Sequence, residues 1–222
     1  MTARPVQGVP VRRLILLRHG QTEYNAGNRM QGQLDTDLSE LGRLQAKSAA
    51  RALAERRPAT LVSSDLRRAF DTASELGELA GLAVATDERL RETHLGQWQG
   101  LTHTQVDERD PGARAAWRAD ACWAPPGGES RVDVARRATP VVTELVAGRP
   151  EWAEEPVVLV AHGGLIAALT AALLDLPEDR WTVFGGLGNT SWVQLSGHGE
   201  PDSLSWRLDV WNASATVASD VL

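Results

Sequence analysis

Two histidines and three arginines in this chain stand just after short apolar runs, and that placement gives them chemical interest. Arg18, His19 and Gly20 follow LILL at 14–17, Asp65, Arg67 and Arg68 follow TLVSS at 60–64, and His162, Gly163 and Gly164 follow VVLVA at 157–161. Singly, each has an ordinary reading: a histidine after a strand is commonly a polar loop residue, and an arginine early in a helix is commonly solvated. As a set they suit a dianionic, tetrahedral group such as phosphate, because guanidinium groups, helix N-termini with unpaired N–H groups and the side-chain amide of Asn25 are the donors it requires. A histidine in such a site can act as nucleophile or as charge-stabilising donor, since an imidazole with an ordinary pKa of about 6.5 is substantially neutral near pH 7. Arginine neutralises charge on transferred oxygens without exchanging a proton. A carboxyl group must then protonate the leaving oxygen, and Glu92 in RLRETHLGQWQG is the candidate.

These residues converge only if the apolar runs are neighbouring strands. Strand-like runs occur at 14–17, 60–64, 157–161, 192–195 and 204–211, with helical patterns between them at 40–57, 66–81, 130–147 (Pro140 marking a kink) and 165–174. Alternating strands and helices, with short strands apolar on both faces, predict an α/β fold around a mostly parallel sheet. Ligands of such sheets bind beyond the carboxyl ends of the strands, which is where the histidines and arginines fall. The last run alternates polar and apolar residues and reads as an edge or antiparallel strand. Residues 1–11 read as a loose extension and 12–222 as one domain, with a less regular, Trp-, Pro- and Gly-rich insertion at 97–128 that could cover a site.

At 222 residues, 42% of them hydrophobic, the chain can bury one substantial core. A net charge of −6 argues against a nucleic-acid partner, and no apolar stretch approaches the roughly 20 residues that span a bilayer. A single cysteine, Cys122, excludes an internal disulfide and fits a cytoplasmic location.

The segment Arg18-His19-Gly20-Gln21-Thr22-Glu23-Tyr24-Asn25 has the form R-H-G-x-T-x-x-N, and RMQGQLDTDLSELGRLQA (29–46), SSDLRRAFDTA (63–73), LRETHLGQWQG (90–100), GGES (127–130) and VAHGG (160–164) follow in order. In these motifs, over nearly its whole length, the chain resembles the histidine phosphatase superfamily, the phosphoglycerate-mutase-like enzymes. The resemblance implies a three-layer sandwich, its mostly parallel central sheet flanked by helices, and a phosphomonoester hydrolase working through a phosphohistidine. It implies His19 as the nucleophile, Arg18 and Arg68 as phosphate ligands, His162 as the second pocket histidine, and Glu92 as general acid and then base for water. Thr22, Asn25, Gln31 and Gly163 join the expected phosphate-binding set. Arg67 does not match the pocket position and reads as a surface residue. No metal or other cofactor is expected, the arginines taking the place of a cation.

Mutases of this superfamily carry E-R-x-Y-G at the catalytic glutamate; here the sequence is Glu92-Thr93-His94-Leu95-Gly96, and the mutases' longer insertion is missing, so the resemblance favours a hydrolase. Longer stretches such as RMQGQLDT, GGESRVDVA and WRLDVWNASA resemble the branch acting on glucosyl-3-phosphoglycerate, which implies a small phosphorylated sugar acid as substrate. A broad-specificity phosphatase and a non-catalytic phospho-ligand-binding module stand as alternatives. Trp98, Trp123 and His103 are candidates to face the sugar, core packing being the competing reading for each tryptophan. Glu129 and Ser130 read either as pocket rim or as a helix cap. The sequence leaves the oligomeric state open, a homodimer included.

Overall fold

Leu14 and Leu16 pack to one side of the first strand, Ile15 and Leu17 to the other, and all four are buried, so this strand needs cover on both faces. In the computed structural model, which describes residues 11–149, 152 and 155–215, that cover is provided by two layers of helices. The elements in chain order are β1 (Arg12–Arg18), α1 (Glu23–Ala26), α2 (Glu40–Ala54), β2 (Thr60–Ser63), α3 (Arg67–Ala80), β3 (Val84–Thr86), α4 (His103–Arg109), α5 (Ala113–Ala119), α6 (Arg131–Gly148), β4 (Val157–Ala161), α7 (Gly163–Leu173), β5 (Trp192–His198) and β6 (Ser205–Ala213). The loose extension expected at 1–11 lies outside the described residues except for Val11.

The six strands form one sheet in the order β3-β2-β4-β1-β5-β6. Only β5 runs against the others, pairing antiparallel with β1 and β6. One core joins Leu14, Leu16, Val157 and Leu159 to α6 and α7; the other joins Ile15, Leu17, Val158 and Val160 to α2 and α3. The alternation along β1 and β4 thus divides a continuous apolar run between two layers, as a doubly covered parallel strand requires. The three-layer α/β architecture expected from the sequence is present.

Several boundaries differ from the sequence reading, each for a physical reason. β3 escaped it because Val84–Thr86 is only three residues long and incompletely buried. Helix α6 continues through Pro140, which removes one intrahelical hydrogen bond without ending the helix. Helix α7 begins at Gly163, two residues earlier than its apolar pattern. The 97–128 segment is more regular than expected: it holds α4, capped at Thr102 by a reciprocal box with Gln105, and α5, and it shares a small separate core of Met30, Leu95, Trp98 and Val106. Among the described residues no helix is long and apolar enough to cross a membrane.

The turn after β1 rests directly on the backbone of α2. A Cβ on Gly20 would lie 2.4 Å from the Gly42 carbonyl oxygen, and one on Gly42 would lie 2.0 Å from that of Gln21. Only paired glycines allow this approach. Gly42→Ala is therefore expected to destabilise the fold by about 2 kcal/mol in urea titration, through overpacking against backbone that cannot yield. Gly148→Ala, at a helical position with no atom within 4 Å of the new methyl, should not destabilise it.

Candidate active site

Parallel pairing brings the ends of three strands to one level. Arg18 stands opposite Ala161 in the β1–β4 register, and the His19 N–H continues the ladder to the Ala161 carbonyl at 3.0 Å. Each strand next delivers a histidine, so the rings of His19 and His162 meet with centroids 5.1 Å apart. The end of β2 adds Ser64, whose hydroxyl lies 3.0 Å from His162 Nε2, and the first turn of α3 adds Arg68. Arg68 and His162 are wholly buried and His19 is 2% exposed.

The His19 ring is fixed in one protonation state. Its Nδ1 is 2.6 Å from the Gly20 carbonyl oxygen, which can only accept, so the proton sits on Nδ1 and Nε2 keeps its lone pair. Burial, then the charges of Arg68 and Arg18, push the His19 pKa well below 6.5. His162 is lowered in the same direction by burial, Arg68 and His19. Both rings are neutral at neutral pH. Arg68 points its Nε–H at His19 Nε2 (3.3 Å) and anchors its two Nη atoms on the carbonyls of Leu34 (2.8 Å) and Gly32 (2.7 Å). Burial lowers the Arg68 pKa to about 10, so it remains a cation. Arg18 donates to the Leu187 carbonyl, while its buried Nε has no hydrogen-bond partner among the described residues.

Two amides are oriented by groups behind them. Asn25 Oδ1 accepts from the Thr22 N–H (3.1 Å) and from Asn189 Nδ2 (3.3 Å), and Gln31 Oε1 accepts from the hydroxyls of Thr22 (2.9 Å) and Thr36. With both oxygens engaged, the amide NH2 groups are the ends left to donate. Asn25 and Gln31 line a cavity of about 250 Å³ together with Arg18, His19 and Glu92. Thr22, expected among the phosphate-binding residues, is fully buried and spends its hydroxyl and N–H on these two amides, so it orients ligands rather than facing the cavity.

Glu92 occupies the start of α7. Its Oε2 accepts from the Gly164 N–H (3.0 Å), and its Oε1 from the N–H groups of Leu165 (3.0 Å) and Thr93 (2.8 Å). This corrects the expectation that α7 offers open N–H groups to an anion: a side-chain carboxylate already fills that helix terminus. Gly163, also expected as a phosphate contact, lies beside the Arg18 side chain on the cavity wall. Arg67 is exposed and paired with Asp35 (3.1 Å) and Asp37 (2.7 Å), away from the pocket. Ser130 caps α6 in a reciprocal box with Asp133, and Glu129 pairs with Arg137.

A second cavity, of about 590 Å³, is contiguous with the first, sharing Arg18, Glu92 and His103 in its lining. The structure brings His103 there but not Trp98 or Trp123. Trp98 is fully buried, stacks on Trp123 at 5.4 Å and donates its indole N–H to Asp110 at 3.1 Å; both rings belong to the small core under the 97–128 segment. Filling that core, rather than facing a ligand, is what their bulk does. The aromatic wall is instead Trp117, Trp181 and Phe184, with Arg118 and Arg131 as cations, none of which the sequence reading singled out. Trp117 and Arg118 do fall in the segment expected to cover a site.

The neutral, buried histidines make stability depend on pH. An unfolded histidine takes a proton as pH falls through 6.5 while His19 and His162 stay neutral in the folded chain, so their contribution is present above pH 6.5 and is lost below it. Each should add up to about 1.4 kcal/mol per pH unit to the loss of stability on the acid side of 6.5. Urea midpoints measured from pH 7.5 to 5 should show this slope, and His162→Gln should reduce it.

The model of the histidine phosphatase superfamily (branch 1) matches residues 14–214. The glucosyl-3-phosphoglycerate phosphatase of Mycobacterium tuberculosis strain H37Rv is 67% identical over 220 residues, covering 95% of this chain and 99% of the relative. The solved structure of the mycobacterial glucosyl-3-phosphoglycerate phosphatase complexed with VO3 superposes with a TM-score of 0.90 at 67% identity, over 91% of this chain and 100% of that one. YhfR of Bacillus stearothermophilus superposes with a TM-score of 0.81 at 33% identity, over 91% of this chain and 98% of the other. With the sheet, the pair of strand-end histidines and a family match over residues 14–214 all in agreement, this chain belongs to the histidine phosphatase superfamily.

Proposed function

We propose that the protein is a phosphomonoester hydrolase that forms a phosphohistidine at His19, and that it converts glucosyl-3-phosphoglycerate to glucosylglycerate and phosphate. The observation that carries the chemistry is the His19 ring: neutral, with its proton held on Nδ1 by Gly20 and its Nε2 lone pair beside the Arg68 guanidinium. In the first step Nε2 attacks phosphorus, the ester P–O bond breaks, and the leaving oxygen takes the proton of the Glu92 carboxyl group. In the second, the Glu92 carboxylate takes a proton from water as its oxygen attacks the phosphohistidine, releasing phosphate and restoring both residues. Arg18, Arg68, Asn25 and Gln31 hold the phosphoryl oxygens, and His162 supports the charge that gathers on them.

The substrate reading rests on the mycobacterial relatives and on the shape of the site. Beyond the phosphate end, the larger cavity offers Trp117, Trp181 and Phe184 to the apolar face of a sugar ring, and Arg118 and Arg131 to a carboxylate. A single-cysteine chain of this kind is assigned to the cytoplasm as part of the same reading.

Mass spectrometry of the enzyme quenched with substrate in alkaline denaturant should find phosphate on His19; absence of that adduct together with full activity of His19→Ala would overturn the mechanism. Glu92→Gln should lower turnover of an alkyl phosphate by about 10²–10⁴-fold while leaving inhibition by inorganic phosphate nearly unchanged. Values of kcat/KM for glucosyl-3-phosphoglycerate should exceed those for 3-phosphoglycerate and p-nitrophenyl phosphate by at least about tenfold. A flat profile would replace the dedicated assignment by a broad-specificity one.

A further inference from the structure

The main chain that carries Glu92 is held from a helix 45 residues away in sequence. Arg137 of α6 donates from Nη1 to the carbonyl of Arg89 (2.7 Å) and from Nη2 to that of Glu92 (2.9 Å). The same guanidinium forms a two-point pair with Glu129, Nε to Oε1 at 2.8 Å and Nη2 to Oε2 at 2.9 Å. Glu129 Oε2 in turn accepts from the His94 N–H at 2.8 Å. One ion pair therefore grips the backbone before, at and after Glu92. The turn that brings Glu129 there is packed to contact, since a Cβ on Gly128 would lie 2.4 Å from the His94 carbonyl oxygen. Neither Arg137 nor Glu129 lines the cavities at the site.

We propose that the Arg137–Glu129 pair is a positioning device for the general acid: it sets the main chain on both sides of Glu92 and thereby aims the carboxyl group at the leaving oxygen. This rests on the role given to Glu92 above. The carboxylate end of Glu92 is held independently by the first turn of α7, so its placement is fixed at two points, side chain and backbone. A shift of the backbone point by a fraction of an ångström tilts the carboxyl group without touching the phosphate donors, and proton transfer is the step most sensitive to such a tilt. The planar guanidinium matters here, because a lysine ammonium cannot span two carbonyls and a carboxylate in one plane.

The test is dependence on the leaving group. An alkoxide needs a proton as it departs, whereas p-nitrophenolate does not, so loss of aim should appear only with the first. Arg137→Met and Glu129→Gln should each lower kcat/KM on 3-phosphoglycerate by about 10–100-fold and on p-nitrophenyl phosphate by less than about threefold, with competitive inhibition by orthovanadate within about twofold of the parent. Arg137→Lys should recover little of the loss. Equal losses on both substrates, weakened orthovanadate inhibition, or no loss on 3-phosphoglycerate would each overturn the proposal. Glu129→Gln, which conserves volume, carries the test should Arg137→Met fail to fold. Glu92→Gln, measured alongside, separates the two levels: if it lacks the alkyl-against-aryl split, the acid has been misassigned, whereas a split in Glu92→Gln alone defeats only the positioning role.

Discussion

The parallel register of β1 on β4 is the constraint on which the site depends. Because Arg18 stands opposite Ala161, the two strands end together, and the next residue of each is a histidine. A slip of one residue would turn the two faces of β1 over, placing Leu14 and Leu16 where Ile15 and Leu17 now pack, and would separate the rings. The two hydrophobic cores therefore do more than stabilise the sheet: by penalising every other register, they hold His19 against His162 and within reach of Arg68.

Around that pair, the site is built in two grades of rigidity. The proposed phosphate end contains groups whose second atoms are spoken for: His19 Nδ1 by Gly20, Asn25 Oδ1 by Thr22 and Asn189, Gln31 Oε1 by two threonine hydroxyls, and the Arg68 Nη atoms by two carbonyls. Such prior commitment leaves each residue one way to face the anion, which is what electrostatic preorganisation means at the level of single atoms. The larger cavity, proposed to take the sugar, is lined by the short helix α5, by loops and by the first turns of α6 and α7, and its arginines, Arg118 and Arg131, lie there without a carboxylate within ion-pair distance among the described residues.

The convergence of His19, His162 and Arg68 was legible in the sequence because strand ends and motif spacing are themselves sequence features: the apolar runs at 14–17 and 157–161 point to where His19 and His162 emerge. The residues behind them were not. Thr36 and Asn189 are polar residues among other polar residues in loops, with no periodicity to mark them, yet they help decide which way the Gln31 and Asn25 amides face. Trp98 misled for a related reason: its position next to a functional motif suggested ligand contact, whereas the demand of a small core for volume placed it inside. Trp117 lies 19 residues further along in a seven-residue helix, too short for its pattern to reveal which face meets the cavity. The early start of α7 was hidden as well, since two glycines carry no apolar signal and the partner that caps them, Glu92, lies 72 residues upstream of Gly164.

The small core of Met30, Leu95, Trp98 and Val106 is separate from the two that hold the sheet. Ala121 already belongs to the core beside α6, but changes between 97 and 119 that keep the small cluster filled are decoupled from the β1–β4 register, so the cavity wall at Trp117 and Arg118 can vary while His19 stays in place. A changed wall on a constant phosphoryl-transfer chemistry is what this partition of the hydrophobic interior permits.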